Sequence, residues 1–349
     1  SVYFKKAYNG KTIHSFGNVK IIVLYSGGVT AEDLDNWWNN SISWVSDHTG
    51  PGYRLSFAVM GDDMVGIIGS NGSVRFVEND YSKYDRTQGV HALQHEIEVL
   101  RFFGMTARQA SVLAKTYEST PVVFDRRTQT KLRIACAGQR DTGGPETSLG
   151  NSINNIGAIL HAVSQTPTVS SFLKNAVEHI ENLGLLCKFQ VFETATEPTF
   201  LRGKWWVTTT GTLTWNYLPL MITKIGKLIR NPVHLYKRGS PYHVAARALA
   251  SGMGIVPVSL PILGPFLAKL TSVGTGTQII NESYVRVLRS SPIELNRTAA
   301  VRDITSRYGI TSTDIQDIEN LIAKVTTFPW FISHPAIFKI MQFDNGLDY

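Results

Sequence analysis

The sequence predicts an α+β fold, and three observations carry the prediction. Residues 55–78 are apolar runs broken by small turns, the pattern of β-hairpins. Residues 91–118 and the stretch from about Glu146 to Pro167 place apolar residues at helical spacing. From about Leu213 onward the pattern is mostly helical. With 349 residues, 43% of them hydrophobic, the chain holds one large domain or two to three subdomains and is globular rather than disordered. Lys and Arg number 34 against 27 acids, and the net charge of +7 suits a polyanionic partner. Composition excludes a secreted mini-protein, a collagen and a coiled coil. Cys136 and Cys187 are too few for a disulfide framework or a zinc cluster and point to a reducing compartment. The chain starts at Ser1 with no signal-peptide pattern behind it, which reads as a fragment or processing product.

Taken in order, residues 1–50 suggest a strand or two and a short helix from about Ala31. Leu93, Ile97 and Leu100 mark the helical face of residues 91–118. The stretch from Arg101 to Arg140 is basic, with Arg126, Arg127, Lys131 and Arg133 among its cations. A helix from near Glu146 runs through Ile153, Ile156, Ile159 and Leu160. Another covers residues 171–184, ending at Gly184, and Leu186–Phe192 follows as a strand. In the tail, Thr313 and Gln316 fit a capping box, with Ile315, Ile318, Leu321, Ile322 and Val325 on one face. Ala248–Ala268 carries no charge, yet its prolines and glycines break a continuous helix. A buried loop and helix is preferred there over membrane contact.

The most informative segment is Leu55–Asp85. Gly61-Asp62-Asp63 separates two apolar runs as a hairpin turn would, and Asn71-Gly72 favours a two-residue type I′ turn. With Asn71 and Gly72 as the loop, Ser70 faces Ser73, and counting outward sets Asp63 opposite Asp80. Their α-carbons would then lie roughly 4.5–5.5 Å apart. Asp62, Asp63 and Asp80 would crowd one sheet edge, where like charges repel and a divalent cation relieves them. Carboxylate oxygens select Mg²⁺ or Mn²⁺, and two such ions serve phosphoryl transfer.

These residues resemble the palm motifs of viral RNA-dependent RNA polymerases. Gly61-Asp62-Asp63 resembles motif C, and Asp80-Tyr-Ser-Lys-Tyr-Asp85 with Gln88 resembles motif A. Thr142-Gly143, then Thr147 and Asn151, resembles motif B. Gly184-Leu-Leu-Cys-Lys188 is similar to motif D, and Phe200-Leu-Arg-Gly-Lys-Trp205 more loosely to motif E. The order C, A, B is similar to the permuted polymerases of permutotetraviruses (the Thosea asigna virus type) and birnaviruses, and the intact Gly-Asp-Asp favours the former.

The resemblance implies a right-hand polymerase with an RRM-like antiparallel palm sheet, partial fingers and a helical thumb. On that reading residues 1–52 accompany the fingers, and 53–90 are palm with motifs C and A. Residues 91–138 are a fingers insertion, 139–212 palm with motifs B, D and E, and 213–349 the thumb. It implies that Asp80 and Asp62 are the principal ligands of two Mg²⁺ or Mn²⁺ ions, with Asp63 auxiliary and the Tyr81 carbonyl completing the sphere. Asp85, Asn151 and Thr142 would bond the nucleotide 2′-hydroxyl, with Thr147 in the same motif. Gly143 and Gly144 would let the backbone approach nucleotide and RNA, and Lys188 would protonate departing pyrophosphate. Arg126, Arg127 and Arg133 would touch RNA phosphates.

The implied partners are an RNA template and primer, ribonucleoside triphosphates and, for some permuted polymerases, a protein primer. The implied location is the host cytoplasm or the virion. Lys5, Lys6, Lys11 and Lys20 do not align with the family's triphosphate-gripping motif. Two readings compete with a polymerase. One is a non-catalytic basic RNA-binding or scaffold protein on a palm-like fold. The other is a reverse transcriptase, against which the polar trio Asp85, Thr142 and Asn151 counts.

Overall fold

The computed structural model describes residues 2–118, 122–133, 140, 147–225, 241–274, 291–326 and 332–345. The chain divides into two units, Ser1–Gly27 with Asn40–Leu201, and Gly28–Asn39 with Arg202–Tyr349.

The first unit begins with α1 (Val2–Ala7), β1 (Asn9–Phe16) and β2 (Val19–Tyr25). Helix α2 (Ala31–Ser46) is 16 residues long, more than the short helix expected there, and its first part counts with the second unit. Strands β3 (Arg54–Met60), β4 (Asp63–Ser70) and β5 (Ser73–Tyr81) follow. Next come α3 (Tyr84–Thr87), α4 (Val90–Phe102), α5 (Ala107–Tyr117) and a ribbon of β6 (Val122–Asp125) and β7 (Thr130–Arg133). Helices α6 (Thr147–Gln165) and α7 (Val169–Glu181) precede β8 (Cys187–Phe192) and β9 (Thr199–Phe200).

One six-stranded sheet runs in the order β1-β2-β3-β4-β5-β8. Its centre is set by the two turns legible in the sequence. Asn71 and Gly72 take φ of +50° and +78°, the left-handed pair of a type I′ turn, and Ser70 pairs with Ser73. The β4–β5 ladder keeps that register as far as Met64↔Asn79, one step from Asp63 and Asp80. The expected wholly antiparallel sheet needs correction at one place. β2 and β3 run parallel, because the connection between them contains α2, which lets the chain return and enter β3 in the same direction.

Helices α6 and α7 bury their apolar faces on this sheet. Ile153, Ile156 and Ile159 join Phe57, Val59, Val77 and Phe172 in one core, each side chain contributing about 1.5–3 kcal/mol. Residues 91–118 form two helices rather than one, because Gly104 takes φ +96° between α4 and α5. Thr106 and Gln109 then cap α5 with a reciprocal box.

The second unit holds a hairpin of β10 (Gly203–Val207) and β11 (Leu213–Tyr217), then α8 (Met221–Lys224), α9 (Pro241–Gly252), α10 (Leu263–Val273), α11 (Arg297–Tyr308), α12 (Ser312–Ala323) and α13 (Pro335–Asn345). Leu213 therefore opens a strand, and the helical tail starts at Met221. The indoles of Trp38 and Trp205 stack with centroids 3.9 Å apart. A separate core gathers Leu260, Leu263, Phe266, Ile304, Ile318 and Ile340.

The cap of α12 is Thr311 with Asp314, not Thr313 with Gln316. The Thr311 hydroxyl accepts the Asp314 amide at 3.0 Å, and the carboxylate accepts the Thr311 amide at 2.7 Å. The earlier start puts Ile315, Ile318 and Ile322 inside, while Leu321 is exposed. Residues 248–268 finish α9, turn through Pro257–Leu260 and begin α10, with Leu260, Ile262 and Leu263 buried. Among the described residues no helix is long and apolar enough to cross a membrane.

Candidate active site

The β3–β4 hairpin closes through Gly61 and Asp62, with Met60 paired to Asp63 across it. Gly61 takes φ +65°, which lets so tight a turn form and leaves Asp62 at its tip. On β5, the strand beside β4, Asp80 pairs with Lys188 of β8, and Lys188 Nζ lies 3.1 Å from Asp80 Oδ2. Both side chains are about half exposed, so this ion pair contributes little stability, about 0–1 kcal/mol.

Asp62 reports the local electrostatics. Burial pushes its carboxyl above the ordinary value; the charges of Asp80 and Asp85 push the same way, while its own backbone amide and Lys188 pull down. The four charged groups thus share one field. The consequence for stability has a definite sign. The folded chain binds this proton more readily than the unfolded chain, whose Asp titrates at about 3.9. Ionised Asp62 therefore costs stability above its folded pKa, and the cost fades as pH falls toward the unfolded value. Asp62→Asn is expected to raise the melting temperature of the metal-free chain at pH 7 by roughly 2 °C. Calorimetry should show a smaller gain at pH 4.

Downstream of Asp80 the chain turns sharply. Lys83 takes φ +54° and starts α3, which carries Asp85 in its first turn. Asn151 Nδ2 donates to Asp85 Oδ1 at 2.8 Å. Asn151 Oδ1 is buried and has no hydrogen-bond partner among the described residues. Tyr84 donates its hydroxyl to the Asn151 carbonyl at 3.1 Å and stacks on Tyr81. Asn154 donates to Gln88 at 2.6 Å, so two side chains of α6 grip the segment after Asp80. Thr147, the first residue of α6, is half-buried.

The structure thus brings together Asp62, Asp80, Asp85, Asn151 and Lys188. Asp63, the first residue of β4, lies beside the turn. Arg126 and Arg127 are exposed in the turn of the β6–β7 ribbon, and Arg133 is exposed at its end. Thr142, Gly143, Gly144 and Cys136 lie outside the described residues. Cys187 donates its thiol to Asn79 Oδ1 at 2.8 Å, and burial pushes that thiol up to about 12, which makes it unreactive near neutrality. Ser152 and Asn155, which sequence reasoning missed, hold the turn itself. Asn155 repeats the four-residue step from Thr147 to Asn151, which marks its face of α6 but not its partners.

Among the described residues no three His, Cys, Asp or Glu side chains converge as a ready cage for a metal. Mg²⁺ commonly takes one or two carboxylates and fills its shell with water and substrate phosphates. Asp62 and Asp80, two carboxylates that feel each other's charge, fit that kind of donor set.

Residues 63–172 match the model of a family described as RNA dependent RNA polymerase. No curated protein matches the chain. The matched segment contains β4, β5, α3 and all of α6, hence Asp63, Asp80, Asp85 and Asn151. The match supports a viral RNA-dependent RNA polymerase, and the mixed helix-and-sheet architecture fits a polymerase-like α+β fold.

Proposed function

We propose that this chain is the core of a viral RNA-directed RNA polymerase of the permutotetravirus type, with its palm motifs in the order C, A, B. It extends an RNA primer on an RNA template by a two-metal mechanism. The observation that carries the reading is the pairing of Asn151 with Asp85 beside Asp62 and Asp80, with Asn151 Oδ1 left as a buried acceptor. A ribonucleotide 2′-hydroxyl is the donor that such an acceptor recognises, and a site built to bond a hydroxyl rejects the analogue lacking it.

On this reading Asp62 and Asp80 hold the ions, with Asp63 auxiliary and the Tyr81 carbonyl contributing. Bound there, two Mg²⁺ or Mn²⁺ ions supply activation of the primer 3′-hydroxyl and neutralisation of the leaving pyrophosphate. Asp85, Asn151 and Thr142 hold the ribose, with Thr147 behind them. Gly143 and Gly144 give RNA close access to the backbone. Lys188, already beside Asp80, delivers a proton to pyrophosphate. Arg126, Arg127 and Arg133, exposed on a ribbon, bind RNA phosphates. The six-stranded sheet serves as palm, residues 91–138 as part of the fingers, and the helices after Met221 as thumb. Template, primer and ribonucleoside triphosphates are the partners, a protein primer is a further one, and the host cytoplasm or virion is the setting. The polymerase match does not favour a non-catalytic RNA binder.

The test is extension of a primer–template RNA with ribo- or deoxynucleotides. The chain is expected to incorporate ribonucleotides by preference, and absence of template-dependent extension overturns the reading. Asn151→Ala should reduce the ribo-over-deoxy preference in kcat/KM by about 10- to 100-fold, the effect of about 1–3 kcal/mol for one lost polar partner.

A further inference from the structure

The Gly61–Asp62 turn projects beyond the last ladder pair of its own hairpin, so the hairpin alone does not fix where Asp62 sits. Three of its main-chain groups are bound from outside. The Gly61 amide donates to Ser152 Oγ at 2.7 Å. The carbonyls of Gly61 and Asp62 both accept from Asn155 Nδ2, at 3.2 and 3.1 Å. Asn155 Oδ1 accepts the Tyr81 hydroxyl at 3.0 Å. Ser152 also donates to the Ser148 carbonyl of its own helix at 2.7 Å, so its hydroxyl is used both ways.

Ser152 and Asn155 are three residues apart on α6 and therefore share a face. Both are fully buried, at 0% exposure. A buried amide side chain is retained at a cost unless its groups are paired, and here both ends of Asn155 are. Its amide nitrogen holds the segment bearing Asp62. Its oxygen holds the residue directly after Asp80. One side chain thus spans the two acid-bearing segments of the site.

We infer that Asn155, assisted by Ser152, is a positioning residue that sets the placement of Asp62 relative to Asp80. The catalytic consequence rests on the polymerase reading above, whereas the brace itself is a matter of geometry. Reacting groups must be held to within about half an ångström, and a displacement of about 1 Å costs on the order of 100-fold in rate. Asn155→Leu removes both arms of the brace without adding charge. Ser152→Ala removes the acceptor of the Gly61 amide, and Ser152→Thr keeps it.

The experiment uses the full chain and three readouts: hydrogen exchange at the Gly61 amide, Mn²⁺ affinity with a ribonucleoside triphosphate present, and primer extension. Ser152→Ala is expected to speed Gly61 exchange by about 10- to 100-fold while Ser152→Thr restores protection. Asn155→Leu is expected to weaken Mn²⁺ binding by about tenfold and to lower kcat by about 100-fold, with KM for the nucleotide nearly unchanged. A variant that only loses melting temperature, with Mn²⁺ affinity and kcat of the folded protein intact, overturns the inference. So does Gly61 exchange indifferent to Ser152→Ala. If Asn155→Leu does not fold, the Ser152 pair decides through exchange and Mn²⁺ affinity. If the unaltered chain binds Mn²⁺ but extends no primer, the polymerase reading fails, and the brace is still judged by exchange and affinity. If it binds no Mn²⁺, exchange alone decides.

Discussion

Asp80→Ala is expected to abolish template-directed extension, lowering kcat/KM by at least about a thousandfold, or about 4 kcal/mol of transition-state stabilisation. Asp80 lies next to the end of the strand whose register is set by the Asn71-Gly72 turn, and its charge helps to raise the Asp62 carboxyl. Removing it takes away one of the two carboxylates offered to a divalent cation and strands Lys188 without its partner. The fold should hardly notice, because the Asp80–Lys188 pair is half exposed and such pairs contribute about 0–1 kcal/mol. Activity and melting temperature should therefore separate. Mn²⁺ titration with a ribonucleoside triphosphate present supplies the direct check. Asp80→Ala and Asp62→Ala should each weaken binding by at least about tenfold, since each removes an anionic ligand. Binding unchanged in both variants would mean that the two acids share no cation, and the RNA-binding reading would move ahead.

What was legible in the sequence was whatever short-range chemistry dictates. Asn-Gly needs left-handed backbone at both turn positions, so one dipeptide fixed the register of β4 on β5 and brought Asp80 to within a step of Asp63. Helix α6 was legible because its apolar spacing and the following proline act within a few residues. The cap of α12 was misplaced by two residues because Thr311 and Thr313 both fit a box, with Asp314 and Gln316 respectively. Only the buried face decides between them. The hairpin β10–β11 escaped because its tryptophans and threonines pack inside rather than alternate in and out. The interior polar groups were the least legible. Ser152, Asn154 and Asn155 were not singled out, because their role shows only once the turn and Gln88 are placed against them. Their partners lie 66–94 residues away in sequence, and no local pattern carries that information.

Glu96 is the strongest instance, and it supports a second large effect. It sits on the buried face of α4 between Leu93 and Leu100, at 0% exposure, where periodicity expects an apolar residue. Its carboxylate pairs with the guanidinium of Arg140, also fully buried, and accepts the Tyr117 hydroxyl at 2.8 Å. Gly150 of α6 makes the room. A Cβ there would lie 2.2 Å from Glu96 Oε2, so a helix-interior glycine, which costs about 0.5–1 kcal/mol against alanine, is the residue that fits. The ion pair therefore locks α4, α5 and Arg140 against the first turn of α6. That turn leads directly into Asn151, Ser152 and Asn155. Arg140→Met should lower stability by about 3–5 kcal/mol, because it leaves the carboxylate buried without its countercharge. Replacing both partners, as Arg140→Met with Glu96→Leu, should recover most of that loss, since an apolar pair of similar volume owes no desolvation. Denaturant titration of the four proteins gives the coupling energy. Losses that simply add would show that Arg140 and Glu96 act separately. A strong positive coupling would show that one buried pair carries the load, and that the helix bearing the asparagines is anchored through it.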